Sequence, residues 1–356
     1  MKLIVSALFI IFLEFIVSNV NAALMRGTMS KIAKYIDYTP EQVDLFVTFK
    51  TIYKKKYRDN NEEAIAVKNF INNVATIDSQ NEKFRRGETK FKTAIWINSD
   101  MNRLDFLESF TGYVGKPMKR LYKTKYRRDK NLPKYLNYFE DGFVTKVSNQ
   151  RYCGSSWAFA TIGALEAQFA RKTGVLRKLS EQNLIDCDRS FDYSGNRGCK
   201  GGNMRIAYEY LIKTGINAEN IYPYRGKGKY NCNFNSSLSL GKVYDFVEIE
   251  RKNETALMYA LYHAGGPIAV AIDASDPAFQ NYQSGIYDFP ECVNEPNHAA
   301  LLIGYGFDYS FTPPAAYWLL KNSWGVEWGE KGFFRISKDA NNLCNIATDA
   351  SYPIVA

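Results

Sequence analysis

The sequence predicts an α+β fold of two domains with a cleft between them, and two patterns along the chain predict it. Apolar residues recur at helical spacing from Ser156 to Gly174. Strand-like apolar runs follow later in the chain, at 268–272, 299–303, 317–321 and 332–336. A helical half followed by a β-rich half suits two packed domains, and clefts between domains are common ligand sites.

Composition narrows the class of protein further. The chain has 356 residues and is 46% apolar, which indicates a globular protein with a sizeable core. The net charge is +9, and much of it lies in two basic runs, 50–58 and 116–130. Runs of this kind are usually solvated faces or linkers. Because neither a zinc-finger spacing nor a Gly-rich phosphate loop accompanies them, we do not expect a nucleic acid as partner.

The N-terminus is typical of a secretory signal. Lys2 supplies the positive charge, residues 3–17 form the apolar stretch, and Val20-Asn21-Ala22 supplies small or neutral residues for cleavage. Glu14 interrupts an apolar stretch that is already too short to span a bilayer. We therefore expect a signal peptide at 1–22, no membrane insertion after its removal, and a secreted or lysosome-like location. An uncleaved anchor is the alternative.

Cysteine usage agrees with an exported protein. An even number of cysteines, six, predicts three disulfides, for which the sequence alone allows fifteen pairings. Two sequons, at Asn235 and Asn253, predict a glycoprotein if their side chains are exposed.

Two helices are predicted in the first third of the chain, within a region, 40–110, that is expected to be helical. The apolar residues of the first recur at helical spacing: Val43, Phe46, Phe49, Ile52 and Tyr53. The second runs from about residue 62 to 81 with one apolar face: Ile65, Phe70, Val74 and Ile77.

A short run ahead of the helix at 156–174 carries the strongest signal for function. Residues 153–157 read Cys-Gly-Ser-Ser-Trp, with Gln150 upstream. The run resembles the active-site segment of papain-like cysteine peptidases, Cys-Gly-Ser/Ala-Cys-Trp/Tyr, whose second cysteine is the nucleophile. Ser156 stands at that position in this chain.

Two later motifs extend the resemblance in the expected order. Asn297-His298-Ala299 resembles the histidine segment and lies 298 − 156 = 142 residues after the serine. Asn322-Ser-Trp-Gly resembles the asparagine segment. The resemblance implies a papain-like fold, with a helical left domain and a β-barrel-like right domain. It also implies that Ser156 is the nucleophile, His298 the acid and base, Asn322 its orienting group, and Gln150 an oxyanion donor.

The same resemblance assigns a substrate site and a disulfide pattern. Gly201 and Gly202 would bind the substrate backbone, Trp324 would shield the histidine–asparagine pair, and the main specificity pocket would have Met204 and Ala271 as walls. Asp349 would form its floor and favour a basic or polar substrate side chain; a surface carboxylate is the alternative. The implied disulfides leave no free thiol, and the implied site uses no cofactor or metal. They are Cys153–Cys199, Cys187–Cys232 and Cys292–Cys344.

The N-terminal helices resemble the prodomain of cathepsin L-like zymogens. Five of six positions of the prodomain signature match, with an alanine in place of the arginine: Glu62, Ala66, Phe70, Asn73, Ile77 and Asn81. A second prodomain motif matches only at Asp100. We therefore expect an inhibitory propeptide at 23–131, with a helical core at about 40–110 and a basic connector at 116–131, and a peptidase domain at 132–356. Expected partners are this propeptide, peptide or protein substrates, and cystatin-like inhibitors.

The serine leaves the activity open. A serine hydroxyl does not ionise as the papain-like cysteine does, so His298 would have to act as a true general base. Three hypotheses remain: a weak serine-dependent peptidase of the cathepsin L type, a non-catalytic homologue that binds peptides or inhibitor proteins, and a serine introduced in place of cysteine by engineering or error.

Overall fold

The computed structural model describes residues 34–115, 132–189, 195–228 and 231–355. The predicted signal peptide at 1–22 and basic connector at 116–131 lie outside these residues. The chain divides into two compact units, residues 1–73 and 74–356. In the part that the structure describes, no helix is long and apolar enough to cross a membrane.

The first unit is organised around aromatic side chains. Helix α1 (Pro40–Ile52) begins at Thr39, whose side chain accepts from the backbone N–H of Gln42 in a capping box. The ring of Phe70 lies 4.6 Å from that of Phe49 and 5.4 Å from that of Phe46. The predicted helix is confirmed, but Ile52, expected on its apolar face, is 65% exposed.

Helix α2 (Asn60–Arg85) extends the predicted second helix at both ends. Phe70 and Ile77 are buried as expected, whereas Ile65 is 59% exposed and Val74 is half-buried. The buried stripe begins instead at Ala66 and continues through Asn73. This stripe follows the i, i+4, i+7 spacing of one helix face, and Ile65 lies outside it because consecutive helical residues are about 100° apart.

The prediction that 40–110 is helical was wrong at 53–59, between α1 and α2, and at 86–102, between α2 and the next helix. Strand β1 (Phe91–Thr93) follows α2, and Phe91 pairs with Gly285 in the antiparallel register of a later strand. Three residues are too short to reveal a period of two. Helix α3 (Arg103–Phe110) comes next, capped by the Asn102 side chain.

The second half of the predicted architecture is confirmed. The helix predicted at 156–174 is α4 (Ser156–Thr173), which ends at Gly174 in a left-handed conformation. The α-helices that follow it are α5 (Glu181–Cys187), α6 (Met204–Lys213), α7 (Glu254–Ala264) and α8 (Pro277–Gln280). His263, which matches no motif, is exposed in the last turn of α7.

The described strands form one mixed sheet. They are β2 (Leu136–Asn137), β3 (Val243–Glu248), β4 (Ile268–Ile272), β5 (Tyr282–Tyr287), β6 (His298–Asp308), β7 (Ala315–Lys321), β8 (Phe333–Ser337) and β9 (Ala350–Val355). Their order is β1-β5-β8-β7-β6-β4-β9-β3, with β2 added to β6. The four predicted strands correspond to β4, β6, β7 and β8.

Helix α4 packs against the sheet, which sets the position of the site. A methyl group on Gly163 would meet the side chain of Leu301 at 2.7 Å, so glycine permits the helix to approach β6 this closely. The N-terminus of α4 and the first residue of β6 consequently meet at one place. The disulfides Cys153–Cys199, Cys187–Cys232 and Cys292–Cys344 are all formed, as predicted.

Candidate active site

Ser156 is the first residue of α4 and is fully buried. Its backbone N–H has no acceptor within the helix, because the first N–H groups of any helix lack one. The positive end of the helix dipole lies at the same point. The Cys153–Cys199 disulfide fixes the loop that leads into it. This end of the helix therefore suits a developing negative charge.

His298 and Asn322 are brought together by the register of β6 and β7. Leu301 pairs with Lys321 in this antiparallel ladder, so the residue after β7 lies beside the start of β6. The His298 Nε2 and Asn322 Oδ1 atoms are 2.9 Å apart. The same Oδ1 accepts the backbone N–H of Ser323 at 2.8 Å, so it is an acceptor, and Nε2 must carry the proton.

The imidazole of His298 is neutral in this environment. Complete burial lowers its pKa to about 4, although the Asn322 hydrogen bond and the Phe110 carbonyl act in the opposite direction. With the proton on Nε2, the Nδ1 atom presents a lone pair. Nδ1 is buried, and no described atom is its hydrogen-bond partner. The ring therefore has the tautomer that a general base requires.

The hydroxyl of Ser156 lies beside this histidine but bonds to its neighbour. Its Oγ accepts the backbone N–H of Ala299 at 3.1 Å. Since Nδ1 of His298 has no partner among the described residues, the serine–histidine hydrogen bond is not formed. Ser156 and His298 are therefore adjacent, as a nucleophile and its base must be, but the serine hydroxyl is not aligned with Nδ1 of the histidine.

Gln150, in the loop that precedes α4, is fully buried. Its Nε2 donates to the carbonyl of Cys153 at 2.9 Å and to that of Thr111 at 3.2 Å. Its Oε1 accepts the hydroxyl of Ser323 at 2.6 Å, which fixes the direction of the amide. The amide N–H groups are therefore directed toward carbonyl oxygens at the site.

Residues 110–115, here called the cover segment, occupy the site through backbone hydrogen bonds. Val114 N donates to Gly202 O at 2.8 Å, and Gly202 N donates to Gly112 O at 2.9 Å. On the other side, the N–H groups of Gly112 and Tyr113 both donate to Asn297 O. Gly202 thus binds an extended chain, although here it is the protein's own, and Gly201 lets that chain approach closely because a Cβ on it would lie 2.9 Å from Val114 Cγ2.

Only glycine fits at position 112. Its φ is +129°, a conformation that L side chains rarely adopt, and an added Cβ would collide with the backbone of Gly154. The absence of a side chain lets the cover segment lie directly on the loop before Ser156.

Tyr113 contacts Asp349, one of the three residues from which the sequence predicted a specificity pocket. Met204 and Ala271 are fully buried, and Ala271 N donates to the backbone oxygen of Asp349 at 2.9 Å. The phenol of Tyr113 donates to the Asp349 carboxylate. Asp349 is only 7% exposed, so the alternative of a surface carboxylate does not hold.

Trp324 covers the histidine–asparagine pair. Its ring lies 4.8 Å from that of His298, and its indole N–H donates to Phe110 O at 2.6 Å. Other aromatic rings pack around Trp324, including those of Trp96 and Phe106, whose centroids lie 6.4 Å and 5.1 Å from its own. Water is thereby excluded from His298.

Three residues of the site were not foreseen from the sequence. Tyr113 lies outside the predicted motifs, Ser323 lies within the asparagine motif, which assigns it no role, and Arg205 follows the predicted Met204 in the first turn of α6. Of these three residues, only Arg205 could have been recognised from the sequence. It follows Met204, which was predicted to line a buried pocket, and a charged side chain that is buried requires partners of opposite charge. Its guanidinium pairs with Glu248 at 2.8 Å and with Asp349 at 3.4 Å.

Comparison with known proteins agrees with this geometry. The family described as "Papain family cysteine protease" matches residues 132–354. Mouse Testin-2 is 41% identical over 312 residues, which cover 86% of this chain and 91% of the relative. Cathepsin L of Sarcophaga peregrina is 39% identical over 319 residues, with the same coverage of each chain.

A solved structure extends the likeness to the part of the chain before residue 132. The digestive procathepsin L 3 of Tenebrio molitor larval midgut superposes with a TM-score of 0.79 at 37% identity. The match covers 89% of this chain and all of that one. The papain-like α+β fold expected from the sequence is therefore confirmed.

Proposed function

The chain belongs to the papain family of cysteine proteases, and from this premise we propose that it is a cathepsin L-like zymogen with a serine nucleophile. Once uncovered, its cleft would hydrolyse peptide bonds slowly. The observation that carries the proposal is the 2.9 Å bond from His298 Nε2 to Asn322 Oδ1, which leaves Nδ1 unprotonated beside Ser156.

The proposed reaction begins with attack by the Ser156 oxygen on a substrate carbonyl. The hydroxyl proton passes to Nδ1 of His298, which later returns it to the leaving amine. The oxyanion would be held by the Ser156 backbone N–H and by Gln150 Nε2. The Thr111 carbonyl, 3.2 Å from Gln150 Nε2, supports this role because it is a peptide carbonyl held by the same donor.

The rate should be low for an electrostatic reason. Proton transfer creates an imidazolium, which the neutral amide of Asn322 stabilises less than a carboxylate would. In a Ser-His-Asp enzyme, replacing the carboxylate by its amide lowers the rate by about 10⁴, or ~5 kcal/mol. We therefore expect hydrolysis well above that of water and far below that of a thiol enzyme.

A second candidate function is peptide binding without catalysis. The bond from Ala299 N to Ser156 Oγ favours it, because it holds the hydroxyl away from the Nδ1 lone pair. The glycine strand at Gly201 and Gly202 would still bind an extended chain. The partners would be peptides or inhibitor proteins of the cystatin kind.

The remaining parts of the proposal concern maturation. We assign residues 1–22 as signal peptide, 23–131 as propeptide and 132–356 as peptidase domain. The cover segment supports an inhibitory propeptide because its backbone occupies the site. Three disulfides fit an oxidising compartment, in agreement with a secreted or lysosome-like location.

Turnover by the processed protein decides between the two functions. The full chain is expressed, cleaved in the basic connector, and mixed with a fluorogenic peptide beside a Ser156→Ala control. Peptidase function predicts turnover that the alanine variant lacks. Equal rates for the two proteins, with saturable binding of a cystatin to both, would instead establish the binding function.

A further inference from the structure

The pocket that holds Tyr113 contains a buried ionic group that sets its selectivity. Arg205 bridges two carboxylates, with Nη1 at 2.8 Å from Glu248 and Nη2 at 3.4 Å from Asp349. All three side chains are less than a tenth exposed. The carboxylate that a basic substrate side chain would seek is therefore already paired.

The charged groups that act electrostatically on the phenol of Tyr113 are not predominantly negative. They include one carboxylate, Asp349, and two guanidinium groups, Arg205 and Arg251. The positive charges of these arginines offset the negative charge of Asp349. A lysine or arginine entering the pocket would lose its hydration without a net opposite charge to replace it.

The hydrogen-bonding groups match a hydroxyl. The phenol of Tyr113 donates to Asp349, and the side-chain amide of Asn203 points its N–H at the phenol oxygen from 3.5 Å. A hydroxyl both donates and accepts, whereas an ammonium or guanidinium only donates. The ring is held as well, because Tyr113 is only 7% exposed.

We propose that Arg205 makes this pocket selective for a tyrosyl side chain of a bound peptide and excludes a basic one. The inference rests on the proposed function for its substrate, since it assumes that peptides enter the pocket that Tyr113 fills in the zymogen. Arg205 is thus a specificity-determining residue, and the basic preference that Asp349 alone would give is reversed.

The first test uses the intact zymogen and requires no catalysis. Hydrogen exchange of the cover-segment amides measures how firmly the residue at 113 is held, in the wild type, Tyr113→Phe and Tyr113→Lys. We expect exchange about tenfold faster in Tyr113→Phe, since a hydrogen bond to a charged group is lost. Tyr113→Lys should exchange about 100-fold faster.

A double variant, Arg205→Met/Glu248→Gln, provides the matched comparison, because it removes Arg205 without leaving an unpaired charge on Glu248. In Arg205→Met/Glu248→Gln, Asp349 becomes available, so the added Tyr113→Lys change should slow cover-segment exchange at least tenfold relative to Tyr113→Lys alone. Exchange of β7 and β8 amides reports whether each variant is folded. Equal protection by lysine and tyrosine in the wild-type background would overturn the proposal, as would a lysine variant that Arg205 removal leaves unchanged.

The second test measures whether the pocket sets the substrate preference during hydrolysis. Processed Ser156→Cys protein is assayed on peptides that differ only at the second position before the scissile bond: tyrosine, phenylalanine or arginine. We expect kcat/KM for tyrosine about tenfold above phenylalanine and 100-fold above arginine, with arginine gaining in Arg205→Met/Glu248→Gln. Inert protein on every peptide would refute the proposed function, while the exchange test would still decide the pocket.

Discussion

The hydroxyl oxygen of Ser156 accepts the backbone N–H of Ala299 at 3.1 Å, although the imidazole of the preceding residue carries an unpaired lone pair. A hydroxyl and a thiolate differ in whether they must lose a proton before they attack a substrate. A thiolate next to an imidazolium is already charged, whereas a hydroxyl must first reach a base. The bond to Ala299 is therefore a ground-state arrangement that attack by Ser156 has to break.

Asn322→Asp should increase serine-dependent hydrolysis. The carboxylate would still accept from His298 and Ser323, and it would remove the Asn322 Nδ2 donor, which has no partner in the described structure. It would also stabilise the imidazolium that proton transfer creates. We expect kcat/KM of the processed protein to rise about tenfold or more, and the pKa of His298 to rise.

Asn322→Ala serves as the control, because it removes the orienting oxygen without adding a charge. It should lower kcat/KM below that of the wild type. A folded Asn322→Asp protein that is no faster than the wild type would argue against His298 as the base.

The stability of the zymogen should depend on pH through His298. Burial lowers its folded pKa to about 4, below the ordinary value of about 6.5. Above pH ~6.5 the histidine is neutral in both states; below it the unfolded chain takes up the proton first. The contribution of His298 is therefore complete above pH ~6.5 and is lost as pH falls toward 4, by up to about 3 kcal/mol.

Urea unfolding of the intact chain from pH 4 to 7 measures the contribution of His298 to the free energy of unfolding, with His298→Gln as the non-titrating control. The difference between the two proteins is the quantity needed, because other groups titrate in the same range. Burial raises the pKa of Asp188 to about 7, which contributes in the opposite direction and is common to both proteins. A difference that does not change with pH would contradict the buried, neutral state of His298.

Trp324→Phe should loosen the cover segment. It removes the indole N–H that donates to Phe110 O at 2.6 Å, while a ring remains over His298. The loss of about 1 kcal/mol corresponds to roughly fivefold faster hydrogen exchange at 110–114. Trp328→Phe is the matched control, since its indole donates to Gln280 O at 3.1 Å instead. Equal effects of both variants on these amides would rule out a specific contact.

The fold and the positions of the site could be predicted because their signals are local. The α4 stripe repeats at helical spacing, the four strands are short apolar runs, and the motifs around Ser156, His298 and Asn322 are contiguous in sequence. The disulfide pairing came from family resemblance, since spacing alone left fifteen possibilities.

The rest depended on contacts between distant residues. Strand β1 is defined by its pairing with β5, in which the partner residues lie 189–194 positions later in the chain. Arg205 reaches Glu248 and Asp349 only once β3 and β9 are adjacent in the sheet. The direction of the Ser156 hydroxyl is likewise set by the packing of α4 against β6, which the sequence does not display.

The most direct test of the account is the rate at which processed Ser156→Cys protein hydrolyses a peptide, compared with the wild type and Ser156→Ala. A thiol in this position would be ionised by the helix N-terminus and the neighbouring imidazole. The account predicts thiol-dependent hydrolysis at least about 10³-fold faster than the wild type, since the supporting groups are otherwise in place. A correctly folded cysteine variant with its cover segment removed that is as slow as Ser156→Ala would contradict it.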